Sequence, residues 1–128
     1  MISIIIPALN EEKFLPLLLN SIKIQNFSDY DIILADAGSK DKTIEIAKKF
    51  GCRIIPGGLP GKGRNEGAKV AKGEILFFLD ADSVLPDGLL KNSVDEFNKK
   101  KLDLATFRLL PIPKRLTSTF FMNVFYNW

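Results

Sequence analysis

Short runs of β-branched and aliphatic residues alternate along this chain with stretches whose apolar positions recur every three or four residues. Ile2–Ile6, Asp31–Ala35, Arg53–Ile55 and Glu74–Leu79 read as buried strands, and Leu104–Phe107 as a weaker fifth. The spacing predicts a first helix over Glu11–Ile24, with Phe14, Leu15, Leu18, Leu19 and Ile22 on its apolar face. A second is expected over Asp41–Phe50, with Ile44, Ala47 and Phe50 inward and Gly51 at a C-cap position. A third, Arg64–Ala71, follows a glycine-rich loop and ends at Gly73. A fourth covers Pro86–Lys100, with Leu89, Leu90, Val94 and Phe97 inward. Strand and helix in alternation imply an α/β fold: a mostly parallel sheet with right-handed crossovers and helices on both faces.

In open sheets of this kind, ligands bind beyond the carboxyl ends of the strands. Four polar segments are expected there: Pro7–Glu11, Asp36–Asp41, Pro56–Arg64 and Asp80–Ser83. The sharpest is Asp80-Ala81-Asp82, directly after the apolar run Ile75–Leu79. Residues two apart on an extended chain point the same way, so the two carboxylates converge. Two adjacent anions repel unless a cation or donors compensate them, and a divalent metal bridging to a diphosphate would do so. The plainer reading is that the aspartates cap the turn into the next helix, as Ser83 and Asp87 also could.

Asp36 stands at a strand end, placed to accept a hydrogen bond from a nucleobase N–H, and Gly38 permits a tight turn with backbone close to a ligand. Asp41 suits the N-cap of the helix that follows. Pro7 is expected to end the first strand because it has no N–H for the sheet. Asn10 is suited to cap the first helix, with Glu11 and Glu12 at its positive N-terminus. In Pro60–Ala68, glycines with Lys62 and Arg64 at a helix entrance suit an anion such as pyrophosphate. The P-loop spacing is absent, and no G-x-G-x-x-G follows the first strand, which counts against a dinucleotide fold.

Charge and composition narrow the chemistry. A net charge of +3, from 18 basic and 15 acidic residues, is too small to imply nucleic acid as a partner. The chain contains no histidine, so His-dependent nucleophile and metal chemistry is excluded and any metal is held by oxygen ligands, as Mg²⁺ or Mn²⁺ would be. The single cysteine, Cys52, excludes an intrachain disulfide and suits a reducing cytoplasm. No acidic residue follows Asp103, whereas six of the 13 aromatic residues do. The chain is therefore divided into a ligand-binding domain, 1–107, and a basic, aromatic C-terminal segment, 108–128, expected to be helical. Residues 116–128 are too few to span a bilayer and are expected at a membrane interface, a dimer contact or a core contact; the protein is expected in the cytoplasm, membrane-associated if this segment meets lipid.

Taken together, Ile6-Pro7-Ala8-Leu9-Asn10-Glu11-Glu12, Asp36-Ala37-Gly38-Ser39, Gly63-Arg64-Asn65 with Gly67, and Asp80-Ala81-Asp82 resemble the family 2 glycosyltransferases of the GT-A fold. The resemblance covers about the first 105 residues, the nucleotide-sugar-binding half of such enzymes. It implies that Pro7, Leu9 and Glu11 line the base and ribose pocket and that Asp36, with Gly38, binds the base edge. Lys62 and Arg64 would meet the base or diphosphate, Asp80 and Ala81 the ribose or sugar-phosphate, and Asp82, with Asp80, a Mn²⁺ or Mg²⁺ ion. The implied reaction passes a sugar from a UDP- or GDP-type donor to an acceptor hydroxyl, a lipid-linked acceptor among the candidates, with inversion.

Two departures stand out. Ala37 occupies a position where many relatives carry a second acid. The general base that deprotonates the acceptor has no candidate, since Asp87, Asp95, Glu96 and Asp103 all read as helix-surface or loop positions. Binding of a nucleotide-sugar without turnover is therefore the main alternative. A sugar-phosphate nucleotidyltransferase is the lesser one, because its glycine-rich basic loop is missing after the first strand.

Overall fold

The computed structural model describes residues 1–108 and 123–125. The chain divides into two compact units, the first made of Met1–Asn20 with Ser28–Ser83, the second of Ser21–Phe27 with the chain from Val84 onward.

The first unit is a four-stranded parallel sheet in the order β3-β2-β1-β4. Its strands are β1 (Ile2–Ala8), β2 (Tyr30–Asp36), β3 (Arg53–Pro56) and β4 (Ile75–Phe78). Helices α1 (Leu15–Lys23, which runs on into the second unit), α2 (Thr43–Lys49) and α3 (Pro60–Val70) connect them. The expected α/β architecture is thus present, and every residue of β1 is buried, as a central strand covered on both faces must be. Ile5 and Pro7 face α3. Ile2, Ile4 and Ile6 point to the other face and are equally buried, as are Leu15, Leu18 and Leu19 of α1.

Two expectations fail instructively. Pro7 does not end β1; it pairs in register with Ala35. Alternate residues of a parallel strand address opposite neighbours. The Ile5 carbonyl accepts from the Leu79 N–H at 3.1 Å, on the β4 side, and the Ala8 carbonyl from the Ala37 N–H at 2.9 Å, on the β2 side. Pro7 therefore turns its ring nitrogen toward β4, whose pairing with β1 stops at Ile5 and Phe78, so no ladder bond is lost.

Nor is Pro60–Gly63 a loop ahead of the third helix, which was expected to start at Arg64. Pro60 opens α3 at its first turn, where a missing N–H costs nothing and a fixed φ helps. The glycines lie inside the helix: a Cβ on Gly67 would stand 2.4 Å from Ile5 Cγ2, and one on Gly63 3.0 Å from Pro7 Cβ. Spaced four apart on one face, they let α3 lie almost directly on β1. Close packing against β1 accounts for both glycines.

The helix starts differ in smaller ways. α1 begins at Leu15, after a turn in which the Glu11 carbonyl accepts from the N–H groups of Phe14 and Leu15. Gly51, with φ of 75°, follows α2 in the left-handed conformation expected of a C-cap glycine, and Gly38 turns at φ of 97°.

In the second unit, Gln25 ties the end of α1 to the approach to α4 (Leu89–Lys99), donating to the Pro86 carbonyl at 2.9 Å and accepting from the Leu90 N–H at 3.2 Å. The weak fifth strand is β5, Thr106–Arg108, and it pairs antiparallel with β6, Asn123–Phe125. The C-terminal segment was expected to be helical; its described residues are strand. Its remaining positions, 109–122 and 126–128, lie outside the described residues, and with them most of the 116–128 stretch expected at a membrane or dimer contact. Among the described residues no helix is long and apolar enough to cross a membrane.

Candidate functional site

Parallel strands put all four carboxyl ends on one edge of the sheet, and the singled-out residues stand along it. Asp36 closes β2. Its carboxylate accepts from the N–H groups of Gly38 and Ser39, both at 2.9 Å, and from the Ser39 hydroxyl at 2.5 Å. The residue is 9% exposed. The sequence offered no structural task for Asp36; the structure gives it one, bracing the turn at Gly38.

The loops after β1 and β2 are laced together. The Asn10 N–H donates to the Ser39 hydroxyl, and the Asn10 side chain accepts from the Lys40 N–H, both at 2.9 Å. The Glu11 N–H donates to the Thr43 hydroxyl at 2.8 Å and the Glu12 N–H to Asp41 at 3.1 Å, while Glu12 accepts from the Lys42 N–H at 3.1 Å. Asn10, at φ of 52°, is therefore not a helix cap but a cross-link between loops. Asp41 does accept from the Thr43 N–H at 2.9 Å, as an N-cap would. Partial burial pushes the Asp41 carboxyl up, but bonds from the Thr43 hydroxyl, the Thr43 N–H and the Glu12 N–H outweigh it and hold the group below the usual carboxylate value. Ser39 and Thr43 carry much of this lacing and were missed as site-forming residues. Hydroxyls at a strand-turn-helix junction look like ordinary capping, and nothing in sequence marks a partner about thirty residues away.

At the end of β4, burial alternates: Phe77, Leu79 and Ala81 are buried, and Phe78, Asp80 and Asp82 are exposed. Both aspartates are exposed, but Ala81 and Asp82 lie in a turn beyond the strand, so the extended-chain spacing on which their convergence was expected does not reach Asp82. The turn that follows is held by the Asp80 backbone carbonyl, which accepts from the Ser83 N–H at 3.0 Å and hydroxyl at 2.5 Å. The Asp80 carboxylate instead meets Arg64 of α3 at 2.6 Å. Asp82 makes no side-chain hydrogen bond or ion pair among the described residues. The capping explanation of these aspartates therefore fails, because the backbone and Ser83 do that work.

Burial raises the Glu11 carboxyl above its ordinary value, and the negative charges of Asp82 and Asp41 raise it further. That mutual repulsion ties the β1 loop to the end of β4 electrostatically. Ionised Glu11 costs the fold stability above its folded pKa, a cost that disappears once pH falls below 4.5, where both states are protonated. Glu11→Gln is accordingly expected to raise the urea midpoint at neutral pH and to lose that advantage in acid, as denaturation at the two pH values would show.

Asp36, Asp80 and Asp82 share the sheet edge, but β1 separates β2 from β4. Among the described residues no group of three or more His, Cys, Asp or Glu side chains is placed to hold a metal. Asp80 and Asp82 supply two exposed oxygen donors, which fits a hard divalent ion only if a ligand such as a diphosphate completes the shell. Lys62 is exposed on the first turn of α3, its stem folded against Gly58. Leu9 is 53% exposed just past the end of β1.

Residues 3–121 match the sequence profile of Glycosyl transferase family 2. Over 117 residues the chain is 29% identical to poly(ribitol-phosphate) beta-N-acetylglucosaminyltransferase TarS of Staphylococcus aureus, covering 84% of this chain and 20% of that protein. A crystal structure of S. aureus TarS in complex with UDP-GlcNAc superposes with a TM-score of 0.77 at 27% identity, covering 92% of this chain and 37% of the other. Glucosyl-3-phosphoglycerate synthase from Mycobacterium tuberculosis, in complex with Mn²⁺, UDP and glucosyl-3-phosphoglycerate, superposes with a TM-score of 0.61 at 26% identity, covering 77% and 39%. The chain thus spans between a fifth and two fifths of the length of these relatives.

Proposed function

Because the chain belongs to glycosyl transferase family 2, we propose that it is the donor-binding part of an enzyme that moves a sugar from a nucleotide-diphospho-sugar to an acceptor hydroxyl, with inversion. The observation that carries this reading is the end of β4: Arg64 neutralises Asp80 while Asp82 beside it stays uncommitted. A cation-assisted diphosphate needs both features, a positive side chain for phosphate oxygens and a free carboxylate for the metal. The TarS complex with UDP-GlcNAc and the mycobacterial complex with Mn²⁺ and UDP support the same donor class and a divalent ion.

In this reading Pro7, Leu9 and Glu11 line the base and ribose, and the braced Asp36 turn with Gly38 presents the edge-binding surface. Arg64 and Lys62 face the diphosphate. Asp82, with Asp80, holds Mn²⁺ or Mg²⁺, whose contribution is to offset charge on the departing nucleoside diphosphate. The Arg64–Asp80 pair is half-exposed and so only weakly held; a diphosphate can draw Arg64 away at small cost.

A second reading, donor binding without turnover by these 128 residues, is favoured by the acids after the D-x-D. Asp95 and Glu96 are engaged in i,i+4 pairs with Lys91 and Lys100 on the surface of α4, which suits a helix face rather than a general base. Calorimetric titration with UDP and GDP, with and without Mn²⁺, tests the common core of both readings. Binding of one of them, strengthened by Mn²⁺, is expected; no binding to either would refute it. Release of free sugar or transfer to water would then distinguish turnover from binding.

A further inference from the structure

Ser21 and Gln25 are polar side chains buried to 5% and 8% exposure at the end of α1, where the other buried residues are leucine and isoleucine. Gln25 stands two residues past the helix and folds back on it, its amide donating to the Ser21 carbonyl at 3.0 Å. A buried hydroxyl and a buried amide cost free energy unless they are hydrogen-bonded. Here both reach backbone more than sixty residues along the chain. The Ser21 hydroxyl accepts from the Leu85 N–H at 3.0 Å. Gln25 donates to the Pro86 carbonyl at 2.9 Å and accepts from the Leu90 N–H at 3.2 Å. All three partners lie between the D-x-D and the first turn of α4, inside the second unit.

That stretch needs support from elsewhere. Residues 83–86 adopt neither helix nor strand, and Gly88, at the N-cap of α4, offers no side-chain cap. The Leu90 N–H is among the first donors of α4, which have no partner within the helix, and Gln25 supplies the acceptor. Burial alternates through the same stretch: Ala81, Ser83 and Leu85 are buried, while Asp82 is exposed. The turn that carries Asp82 is closed by the bonds from Ser83 to the Asp80 carbonyl. Two residues later the chain is pinned again, by Ser21 at Leu85. The first set of bonds shapes the turn; the second fixes the direction in which the chain leaves it.

We propose that Ser21 and Gln25 are positioning residues for the metal end of the donor site: by fixing the course of residues 83–90 they hold the Asp82 carboxylate where an ion bound to the diphosphate can meet it. This rests on the donor-binding reading above and adds to it two residues outside the sequence motifs, which act through Asp82 rather than on the donor. A polar pair suits that task. Satisfied hydrogen bonds prescribe one arrangement of an irregular segment, which apolar side chains in their place would not.

The test uses the 128-residue chain and whichever of UDP or GDP it binds more tightly. Ser21→Ala removes the acceptor for the Leu85 N–H, and Gln25→Met removes the amide bonds at nearly constant volume. The two variants break different bonds and are expected to behave alike. Amide hydrogen exchange of residues 83–90, followed by NMR without metal or nucleotide, should speed up while the amides of β1 and β2 keep their rates. Nucleotide affinity without Mn²⁺ should stay within about twofold of the parent, while the enhancement by Mn²⁺ falls about tenfold. Ser21→Thr, which keeps the hydroxyl, should retain the enhancement. Faster exchange with the Mn²⁺ enhancement intact, or an equal loss of affinity with and without Mn²⁺, overturns the assignment while leaving donor binding intact. So does failure of both variants to fold, or a parent that binds nucleotide with no Mn²⁺ enhancement. A parent that binds neither nucleotide removes the donor reading, and this inference with it.

Discussion

Asp82→Ala is expected to weaken Mn²⁺-dependent binding of the nucleoside diphosphate by about tenfold to a hundredfold while leaving the fold intact. Asp82 is exposed and holds no partner among the described residues, so its loss orphans no donor and opens no cavity. Its charge helps to raise the Glu11 carboxyl, so removing it relieves part of that repulsion, and the variant should melt no lower than the parent. Asp80→Ala behaves differently. It leaves Arg64 without its 2.6 Å partner and frees that guanidinium for phosphate, so binding without metal should hold or improve while the Mn²⁺ enhancement falls. Titration of both variants with and without Mn²⁺, beside thermal melts, separates the two roles. If Asp82→Ala kept the full Mn²⁺ enhancement, the metal would have to be placed elsewhere.

The first five strands, their order in the chain and all four helices were legible because apolar periodicity depends on local sequence and on which face is buried. The polar connections were located correctly, but only part of what holds them was local. Asn10 and Asp41 suit helix caps, which Asp41 in part is, yet with Glu12 and Thr43 they make bonds that cross about thirty residues to the neighbouring loop. Composition cannot show such pairing, because the register that creates it belongs to the sheet. Gly63 and Gly67 have a task the sequence did not show: their missing side chains make room for Pro7 and Ile5.

Gly73→Ala is expected to be the most damaging single methyl on the first unit, costing about 3 kcal/mol or more in urea denaturation. In sequence this glycine looked like the stop of the third helix, but it lies outside the left-handed region, among the glycines without positive φ. It is required for lack of space. A Cβ would stand 2.4 Å from the Ser3 nitrogen, 2.5 Å from the Ile2 carbonyl carbon and 2.8 Å from the Ile2 Cα. All three are backbone atoms of β1, fixed by pairing with Tyr30 and Asp31 on one side and Ile75 and Leu76 on the other, so no rotamer change relieves the clash. The same approach lets the Ser3 hydroxyl accept from the Gly73 N–H at 2.9 Å and the Lys72 N–H at 3.2 Å while it donates to Asp31 at 2.6 Å. These bonds set where β4 begins beside β1, and through that register where Asp80 and Asp82 emerge at the far end. A folded remnant of Gly73→Ala should therefore also bind Mn²⁺ and nucleotide less tightly, although the substitution lies at the opposite edge of the sheet. Ser3→Ala, which removes the hydroxyl but creates no clash, is the control: a loss as large as that of Gly73→Ala would shift the cause from steric exclusion to the hydrogen-bond network.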